Sequence, residues 1–582
     1  MYYIQLSTKR ISNNRRRNLL LTVIVTFILS FYGLSSNFVQ AITPADQEES
    51  SRRMQQEELR RRSQQEAQER RSREQSKDTF LQPEVSPKEE NGLPVEELSF
   101  FIHTLQLEGE KVDRFSWLQD MLSSYQNQKI GREGINHIVK RLTNALITRG
   151  YTTTRIVIPE QDLSSGILRM KVIPGIVRNI RFTNPETRGN WYTAFPTRPG
   201  NILNLRDLEQ GLEQLKRVPS QDADMQISPG DNPGESDVNI TLTSSNPFRM
   251  TMSLDDSGTK DTGRIQASTA LSFDNLFGMN DLFYISFNKD AQQEEEQYGT
   301  RGNSYQFSLP YGYWTFTVAG SSYRYHQTIQ GANQTFLSSG KSDTTEFRIQ
   351  RILHRNQQSK TSMQFGIIKK HSKSFIADTE IESQRKNVTA NEIGINHRQY
   401  YGKTVLDVKL DHRRGVPWFG AQSDTGGGDE ATTRYKLWTL DTTITTPMKI
   451  GSVEGKYSFN FYGQCTNDVL YTADYMSIGN RYTVRGFDGE YTLSAENGWF
   501  IRNEWSMPVA QGKEAYVGID YGQVSGAGTQ WLPGKKLVGA ALGIRGSEGS
   551  LYYDIFTSWP LYKPEGYQTS PYSLGFQLSY QL

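Results

Sequence analysis

The sequence predicts a membrane β-barrel of about sixteen antiparallel strands, preceded by two small α+β modules and by one long polar helix. Three observations lead to this prediction. Residues from Phe248 onward alternate apolar and polar side chains in strand-length stretches. The region before them repeats one order of strands and helices. A charge-rich stretch without an apolar face comes before both modules.

Length and composition narrow the possible functions. A chain of 582 residues is too long for one ordinary core. Its net charge of +2 gives no bulk electrostatic reason to bind nucleic acid. The single cysteine, Cys465, excludes an intrachain disulfide framework and a thiolate zinc cluster. No catalytic motif is present and the seven histidines are scattered, so we expect no catalytic site, cofactor or metal.

Residues 1–41 have the features of a secretory signal peptide. A basic stretch precedes the apolar run Leu19–Leu34, and the small residues Val39 and Ala41 stand at positions −3 and −1 of a cleavage site. A signal anchor that stays in the inner membrane is the alternative. No later stretch reaches the roughly 18 apolar residues of a membrane helix, so an exported protein of this sequence would be soluble or a β-barrel.

Residues 42–78 form a charge-rich segment. From Asp46 onward its only apolar residues are Met54, Leu59 and Ala67. A glutamate precedes an arginine by four positions in six pairs: Glu48–Arg52, Glu49–Arg53, Glu57–Arg61, Glu58–Arg62, Glu66–Arg70 and Glu69–Arg73. Each pair in that order supports a helix by roughly 0.2–0.5 kcal/mol, so the spacing predicts one long helix.

A helix that is polar on all sides cannot pack on an ordinary core, so it would lie in water or in a polar pore. About 30 residues at about 1.5 Å each give roughly 45 Å, enough to cross an outer-membrane barrel. Taken alone, the segment also fits a solvated, partly disordered tail. Residues 79–97, which contain Pro83, Pro87 and Pro94, have the composition of a linker.

Two similar modules follow, at residues 98–175 and 176–247. In the first, the strand-like stretch Leu98–Glu110 precedes two amphipathic helical patterns and two β-branched strands, which gives the order βααββ. The same order recurs in the second module, where Asn204 is the N-cap candidate of the main helix. The recurrence predicts tandem domains, and a single irregular α+β domain is the alternative.

Residues 248–582 contain no convincing helical pattern. About 335 residues at roughly 20 per strand and loop give roughly sixteen strands, an even number, as barrel closure favours. A large secreted β-sandwich or β-helix is the alternative.

Cys465 continues an apolar face and is expected to face lipid or to be packed. One face of the last segment resembles the terminal strand of outer-membrane proteins: Leu574, Phe576, Leu578, Tyr580 and Leu582.

The stretch NRYTVRGFDGEYTL, Asn480–Leu493, places an arginine and a glycine between strand-like segments. Together with GYTTTRIVIPEQDLSSGILRMKVIPG, LNLRDLEQGLEQLKRVPS and PGESDVNITL, it resembles the TpsB family. These are the outer-membrane transporters of two-partner secretion, related to haemolysin-activating and CdiB-type proteins. The resemblance covers nearly all of the chain after residue 41. It implies that the two modules are periplasmic POTRA domains and that residues 42–78 form a plug helix.

The resemblance also implies a site in the barrel lumen. A loop near residues 476–496 would fold inward, and its arginine would pair with an aspartate of the barrel wall, for which the segment GIDYG is the candidate. A guanidinium in a partly dehydrated lumen needs a charged partner, and a carboxylate can accept both arms of its fork. An exposed surface turn is the alternative. The implied residues are Val484, Arg485, Gly486 and Phe487 on the loop, and Asp520 and Gly522 on the wall.

The resemblance implies an outer-membrane transporter rather than an enzyme. The POTRA domains would bind an unfolded partner exoprotein in the periplasm, the plug helix would leave, and the exoprotein would cross the lumen without ATP. Outer-membrane lipids and the exoprotein are the expected partners, and the transporter is expected to be a monomer. One rival is a BamA-like insertase, which usually has more modules and no plug helix. The other is a barrel-borne enzyme or adhesin, which would need a catalytic site.

Overall fold

The computed structural model describes residues 44–75, 78–81, 92–291, 298–330, 335–424, 426 and 430–582. Residues 1–41, where a signal peptide is predicted, lie outside the described residues, as do Pro83 and Pro87 of the predicted linker. The first described element is helix α1 (Pro44–Gln75). Within the described part of the chain, none of the helices is both long enough and apolar enough to cross a membrane.

The first module contains the predicted two helices and three strands, with one addition. The stretch expected to form a single strand is divided at His103, whose backbone N–H donates to the carbonyl of Gly166 at 2.8 Å. Its first half pairs with a further strand, and its second half runs parallel to the last strand of the module. The elements are β1 (Ser99–Ile102), β2 (Thr104–Gly109), α2 (Ser116–Ser123), β3 (Gln128–Gly131), α3 (Arg132–Thr148), β4 (Arg155–Val157) and β5 (Ile167–Ile173).

The second module follows the predicted order βααββ. Its elements are β6 (Ile176–Phe182), α4 (Trp191–Ala194), α5 (Leu205–Lys216), β7 (Gln221–Pro229) and β8 (Glu235–Ser244). The sheet order is β6-β8-β7, so β7 is an edge strand. The predicted N-cap is confirmed, since the Asn204 side chain accepts a hydrogen bond from the backbone N–H of Arg206 at 2.8 Å. Each module has its own apolar core.

Sixteen long antiparallel strands form a closed barrel, as predicted, and β27 pairs with β9 to close it. The short strands β16, β21 and β22 accompany them. The bounds are β9 (Phe248–Asp255), β10 (Gln266–Asp274), β11 (Leu282–Asp290), β12 (Tyr298–Tyr311), β13 (Trp314–Gln330), β14 (Thr335–Arg355), β15 (Ser359–Ile376), β16 (Thr379–Glu380), β17 (Lys386–Tyr401), β18 (Thr404–Val416), β19 (Lys436–Ile450), β20 (Val453–Cys465), β21 (Met476–Ile478), β22 (Leu493–Ala495), β23 (Asn497–Ala510), β24 (Lys513–Ser525), β25 (Lys536–Glu548), β26 (Leu551–Tyr562) and β27 (Ser573–Gln581).

The barrel presents apolar side chains outward and polar side chains inward. On β24, Val517 and Ile519 are exposed on the outer face, whereas Asp520, the next residue along the strand, faces inward and is fully buried. On β27, the predicted apolar face is also on the outside, with Leu574 exposed. This alternation is that of a transmembrane barrel. Cys465 is exposed at the end of β20.

Helix α1 lies inside the barrel. Its described side chains contact strands on different sides of the wall: Glu57 accepts a hydrogen bond from Tyr323 of β13, and Arg73 donates to Asp441 of β19 at 2.5 Å. Between these two positions, Arg62 donates to the side chain of Gln464 on β20. A polar lumen thus satisfies a helix that has no apolar face, which agrees with the pore helix and not with a solvated tail.

Candidate functional site in the barrel lumen

The segment between β20 and β23 folds into the lumen. Its two short strands, β21 and β22, pair as a hairpin, and the residues between them turn toward the wall. Val484 is fully buried, and Phe487 packs edge-to-face against Tyr567 with ring centroids 5.6 Å apart. This inward loop therefore has an apolar core of its own, made by Tyr462, Met476, Ile478, Val484, Phe487, Leu493, Ala495, Phe500, Val524, Leu537 and Tyr567.

The structure brings Arg485 and Asp520 together as a two-armed ion pair. Arg485 Nε donates to Asp520 Oδ2 at 2.7 Å, and Nη2 donates to Oδ1 at 2.8 Å. The backbone N–H of Arg485 also donates to Oδ2, at 3.0 Å. Arg485 is 5% exposed and Asp520 is 0% exposed, so the arginine is not in an exposed surface turn. Charge-assisted pairs with this fork geometry are the strong ones.

A second carboxylate, which the sequence analysis missed, binds the remaining nitrogen of the Arg485 guanidinium. Arg485 Nη1 donates to Glu504 Oε2 at 2.5 Å, and Glu504 is also bound by Arg545 at 2.8 Å. In the ladder between β23 and β24, Glu504 lies opposite Gly518 and Arg502 lies opposite Asp520. Side chains alternate between the two faces of β23, so the sequence could have placed Glu504 on the inward face of the strand before GIDYG. We call Arg485, Glu504 and Asp520 the lumenal lock.

Glycines allow the loop to approach the wall closely. A Cβ at Gly518 would lie 2.3 Å from Arg485 Nη2, and a Cβ at Gly539 would lie 1.7 Å from the Arg485 carbonyl oxygen. Gly522 leaves room for Val484 in the same way, at 2.7 Å. Gly486 has φ +109° and would place a Cβ 2.5 Å from a wall carbonyl. Gly518 therefore makes room for the guanidinium, and Gly539 is a further residue that the sequence analysis missed.

Helix α1 touches the inward loop through hydrogen bonds to backbone carbonyls. Arg62 Nη1 donates to the carbonyl of Tyr475 at 3.2 Å, and Arg70 Nη2 donates to that of Tyr482 at 3.4 Å. Arg502 of the wall donates to the same Tyr482 carbonyl at 3.2 Å. The helix, the loop and the wall therefore meet at Tyr482, three residues before Arg485.

Some charges of α1 pair differently from the predicted i,i+4 pattern. Glu57 accepts hydrogen bonds from Arg60 rather than from Arg61, and the Arg61 guanidinium stacks 3.7 Å from the ring centroid of Tyr323. Arg62 lies N-terminal to its partner Glu66, at 2.9 Å. The wall supplies competing partners that the helix sequence alone does not contain, so the spacing predicted the helix but not the partners of Glu57 and Arg62. The predicted pairs Glu48–Arg52 and Glu49–Arg53 lie outside the described side chains.

Where α1 leaves the lumen, its linker, the barrel rim and the second module share one ion network. Lys360 at the start of β15 contacts both Asp78, which follows the end of α1, and Glu213 of α5, the latter at 2.8 Å. Arg355 at the end of β14 donates to Glu213 at 2.6 Å and to the carbonyl of Thr79 at 2.6 Å. We call Asp78, Glu213, Arg355 and Lys360 the rim junction.

The barrel, its two periplasmic modules and its occupied lumen define an outer-membrane transporter of the BamA superfamily. A family model described as haemolysin secretion/activation protein ShlB/FhaC/HecB matches residues 234–546. POTRA models match residues 176–229 and, as the ShlB type, residues 100–175. The chain therefore belongs to the ShlB/FhaC/HecB family, the transporters of two-partner secretion.

Individual relatives agree with this assignment. The chain is 43% identical to the outer membrane transporter CdiB-2 of Burkholderia pseudomallei over 81% of its own length and 82% of that protein. It is 27% identical to the haemolysin transporter ShlB of Serratia marcescens, over 69% and 72% of the two lengths. The solved structure of CdiB from Acinetobacter baumannii superimposes with a TM-score of 0.81 at 27% identity, covering 90% of this chain and 99% of that one. These relatives favour a transporter over a BamA-like insertase.

Proposed function

We propose that this transporter moves an unfolded partner exoprotein through its lumen by releasing α1 while the inward loop stays on the wall. The single observation that carries this proposal is the difference between the contacts of the two lumenal elements. Helix α1 is bound to the wall by hydrogen bonds and ion pairs that water or a passing polypeptide can replace. The inward loop is bound by an apolar core and by the lumenal lock.

The rim junction connects the release of α1 to movement of the second POTRA domain. Asp78 is bound by Lys360, which also binds Glu213 of the second POTRA domain. A movement of α5 away from the rim removes one carboxylate from Lys360 and Arg355 together. The segment after α1 then loses part of the network at its C-terminal end, although Asp78 keeps Tyr400 as a partner at 2.7 Å. The helix is thereby loosened, and it leaves when the exoprotein replaces its remaining contacts.

Recognition is proposed to occur on the POTRA domains. An extended segment of the exoprotein can add to an edge strand such as β7. The main chain of that segment would supply hydrogen bonds, and its side chains would supply specificity. Folding of the exported chain outside the cell would drive transport, so the transporter needs no nucleotide. One barrel per transporter is sufficient, because the conducting path lies inside a single closed barrel.

The experiment is secretion from cells that co-express this chain and its exoprotein. Deletion of residues 98–242 is expected to abolish secretion and to leave a folded, heat-modifiable barrel in the outer membrane. Lys360→Gln, which weakens the rim junction without touching the modules' cores, is expected to change secretion while leaving the barrel folded. Secretion that persists without the modules would overturn the recognition step.

A matched variant separates the junction from the general charge of the rim. Lys403 lies in the turn between β17 and β18 and is exposed. Lys403→Gln is expected to leave secretion unchanged. An equal effect of Lys403→Gln and Lys360→Gln would show that the rim charge matters and the junction does not.

A further inference from the structure

The second POTRA domain carries an exposed tyrosine at the periplasmic rim of the barrel. Tyr192 on α4 is 51% exposed, although its neighbours Trp191 and Thr193 are partly or fully buried. Thr193 attaches the helix to two turns of the rim. Its carbonyl accepts a hydrogen bond from the Gly312 N–H at 2.8 Å, and its Oγ1 donates to the Met279 carbonyl at 3.0 Å. The position of α4 is therefore set by the barrel.

The ring of Tyr192 lies on the outer side of the barrel wall. It packs edge-to-face against Tyr311, with centroids 6.3 Å apart, and Tyr311 is on the same outward face of β12 as the exposed Tyr305. In the neighbouring turn, Phe277 is 62% exposed and packs edge-to-face against Phe307, another outward residue of β12, at 5.8 Å. The module thus adds a ring to the aromatic surface of the barrel.

Arg198 fixes the orientation of this ring. Its guanidinium carbon lies 4.0 Å from the Tyr192 ring centroid, and its Nη2 donates to the Tyr192 carbonyl at 2.8 Å. The barrel repeats this arrangement nearby, where Arg351 lies 4.9 Å from the ring centroid of the exposed Trp314. Aromatic rings beside cations at the end of an apolar wall are typical of the headgroup layer of a membrane.

We propose that α4 of the second POTRA domain binds the periplasmic leaflet of the outer membrane through Tyr192. The occupant of this surface is phospholipid, because the surface is continuous with the lipid-facing wall of the barrel through Tyr311. A tyrosine suits this position, since its ring is apolar and its hydroxyl reaches water. Lipid contact gives the domain an attachment in addition to its hydrogen bonds to the rim, and it opposes movement of the domain away from the membrane.

The test uses the full chain with Cys465→Ser, reconstituted in nanodiscs of phosphatidylethanolamine and phosphatidylglycerol. Tyr192→Cys is labelled with bimane, and fluorescence is measured with doxyl groups placed near the headgroup or at the chain end. Phe277→Cys on the rim is the positive control. Gln226→Cys, exposed on β7, is the negative control. Heat-modifiability establishes that each labelled barrel is folded.

The proposal predicts that the label at 192 loses fluorescence to the headgroup-level quencher as strongly as the label at 277, and that the label at 226 does not. A label at 192 that behaves like the one at 226 would overturn the proposal. A second measurement keeps an aromatic ring at the position: benzoylphenylalanine at 192, irradiated in the same nanodiscs, is expected to give a phospholipid adduct in mass spectra. Adducts with protein only would show that a polypeptide, and not lipid, covers the surface.

Discussion

The inward loop and α1 lie side by side in one lumen, but the side chains around them differ in kind. Around the loop, Val484 and Phe487 are buried in an apolar cluster, and the lumenal lock joins a 5% exposed arginine to a fully buried aspartate. Around the helix, most contacts are ion pairs and hydrogen bonds to wall residues, such as that between Arg73 and Asp441, together with arginines that stack on rings of the wall, such as Arg61 on Tyr323. Leu59 and Ala67 are its buried apolar residues among the described side chains.

This difference indicates which element is built to stay. Burying a large apolar side chain contributes about 1.5–3 kcal/mol, and water does not replace that contribution. A typical hydrogen bond contributes about 0.5–1.5 kcal/mol net, because water offers a similar bond when it breaks. Many polar contacts can therefore hold α1 in register and still let it leave, whereas the loop loses its apolar burial if it moves.

The largest effect is expected from breaking the lumenal lock. Arg485→Ala or Asp520→Ala leaves a buried charge without its partner, and the cost of a broken buried pair is about 3–5 kcal/mol, reduced in part by water in the lumen. We expect a lower melting temperature of the barrel, impaired secretion and normal membrane insertion. Barrel melting in detergent and exoprotein in the medium are the measurements.

A double-mutant cycle supplies the control for that prediction. Because the two side chains are in direct contact, the double variant is expected to lose less than the sum of the two single losses. Arg485→Lys is not expected to restore secretion, since an ammonium group cannot span two carboxylates as the guanidinium does. Strictly additive losses would mean that Arg485 and Asp520 do not stabilise one another.

A smaller but specific effect is expected from filling the space beside the lock. Gly518→Ala would place a Cβ 2.3 Å from Arg485 Nη2, whereas Gly366→Ala on the inward face of β15 would meet its nearest atom at 3.7 Å. Overpacking of this kind costs about 1–3 kcal/mol. Gly518→Ala is expected to lower the melting temperature and secretion, and Gly366→Ala is expected to change neither. Equal melting temperatures for the two variants would contradict the close approach of the loop.

Removing the helix is expected to open the pore with little effect on stability. Deletion of residues 44–75 takes a polar helix out of a polar lumen, so water replaces its contacts. The conductance of the purified barrel in planar bilayers should rise strongly, and the melting temperature should change less than it does for Arg485→Ala. Unchanged conductance would mean that α1 does not occupy the conducting path.

The smallest effect is expected from a single contact of α1. Asp441→Asn removes the carboxylate that faces both Arg70 and Arg73. Asp441 and Arg70 are buried, but an asparagine keeps an oxygen that can accept from Arg73, and Arg70 also donates to the carbonyl of Tyr482, so the loss of barrel stability should be much smaller than that of Asp520→Ala. Brief openings in single-channel records should become more frequent. A loss of stability as large as that of Asp520→Ala would show that the helix and the loop are held alike.

Patterns with a fixed period predicted most of the architecture from the sequence. Alternation predicted the sixteen strands, recurrence predicted the two modules, and the resemblance placed Arg485 opposite Asp520, where the structure also places them. The role of this pair in secretion remains a prediction. The division of the strand at His103 was not predicted, because it depends on a hydrogen bond to the distant Gly166.

Residues that act through contacts between distant segments could not be found in the same way. Gly539 and Lys360 have no local motif, and each matters because another part of the chain approaches it: the loop at Gly539, and α5 at Lys360. Strand parity places Glu504 on the inward face, but its contact with Arg485 depends on the approach of the loop. Glu57 and Arg62 of α1 pair with Arg60 and Glu66 instead of the predicted partners, because these charges lie among wall residues that the helix sequence does not contain.

The most direct test of the central claim is to fix each lumenal element in place and to measure secretion. In a Cys465→Ser background, Val484→Cys with Gly522→Cys can join the loop to the wall by a disulfide, because the two side-chain positions are in contact. Arg62→Cys with Gln464→Cys, bridged by a bismaleimide, joins α1 to the wall where the native side chains are 2.8 Å apart. Secretion should persist with the loop fixed and stop with the helix fixed, each single-cysteine variant serving as the control. Secretion that stops when the loop is fixed and returns on reduction, or that continues while α1 is bridged to β20, would contradict the account.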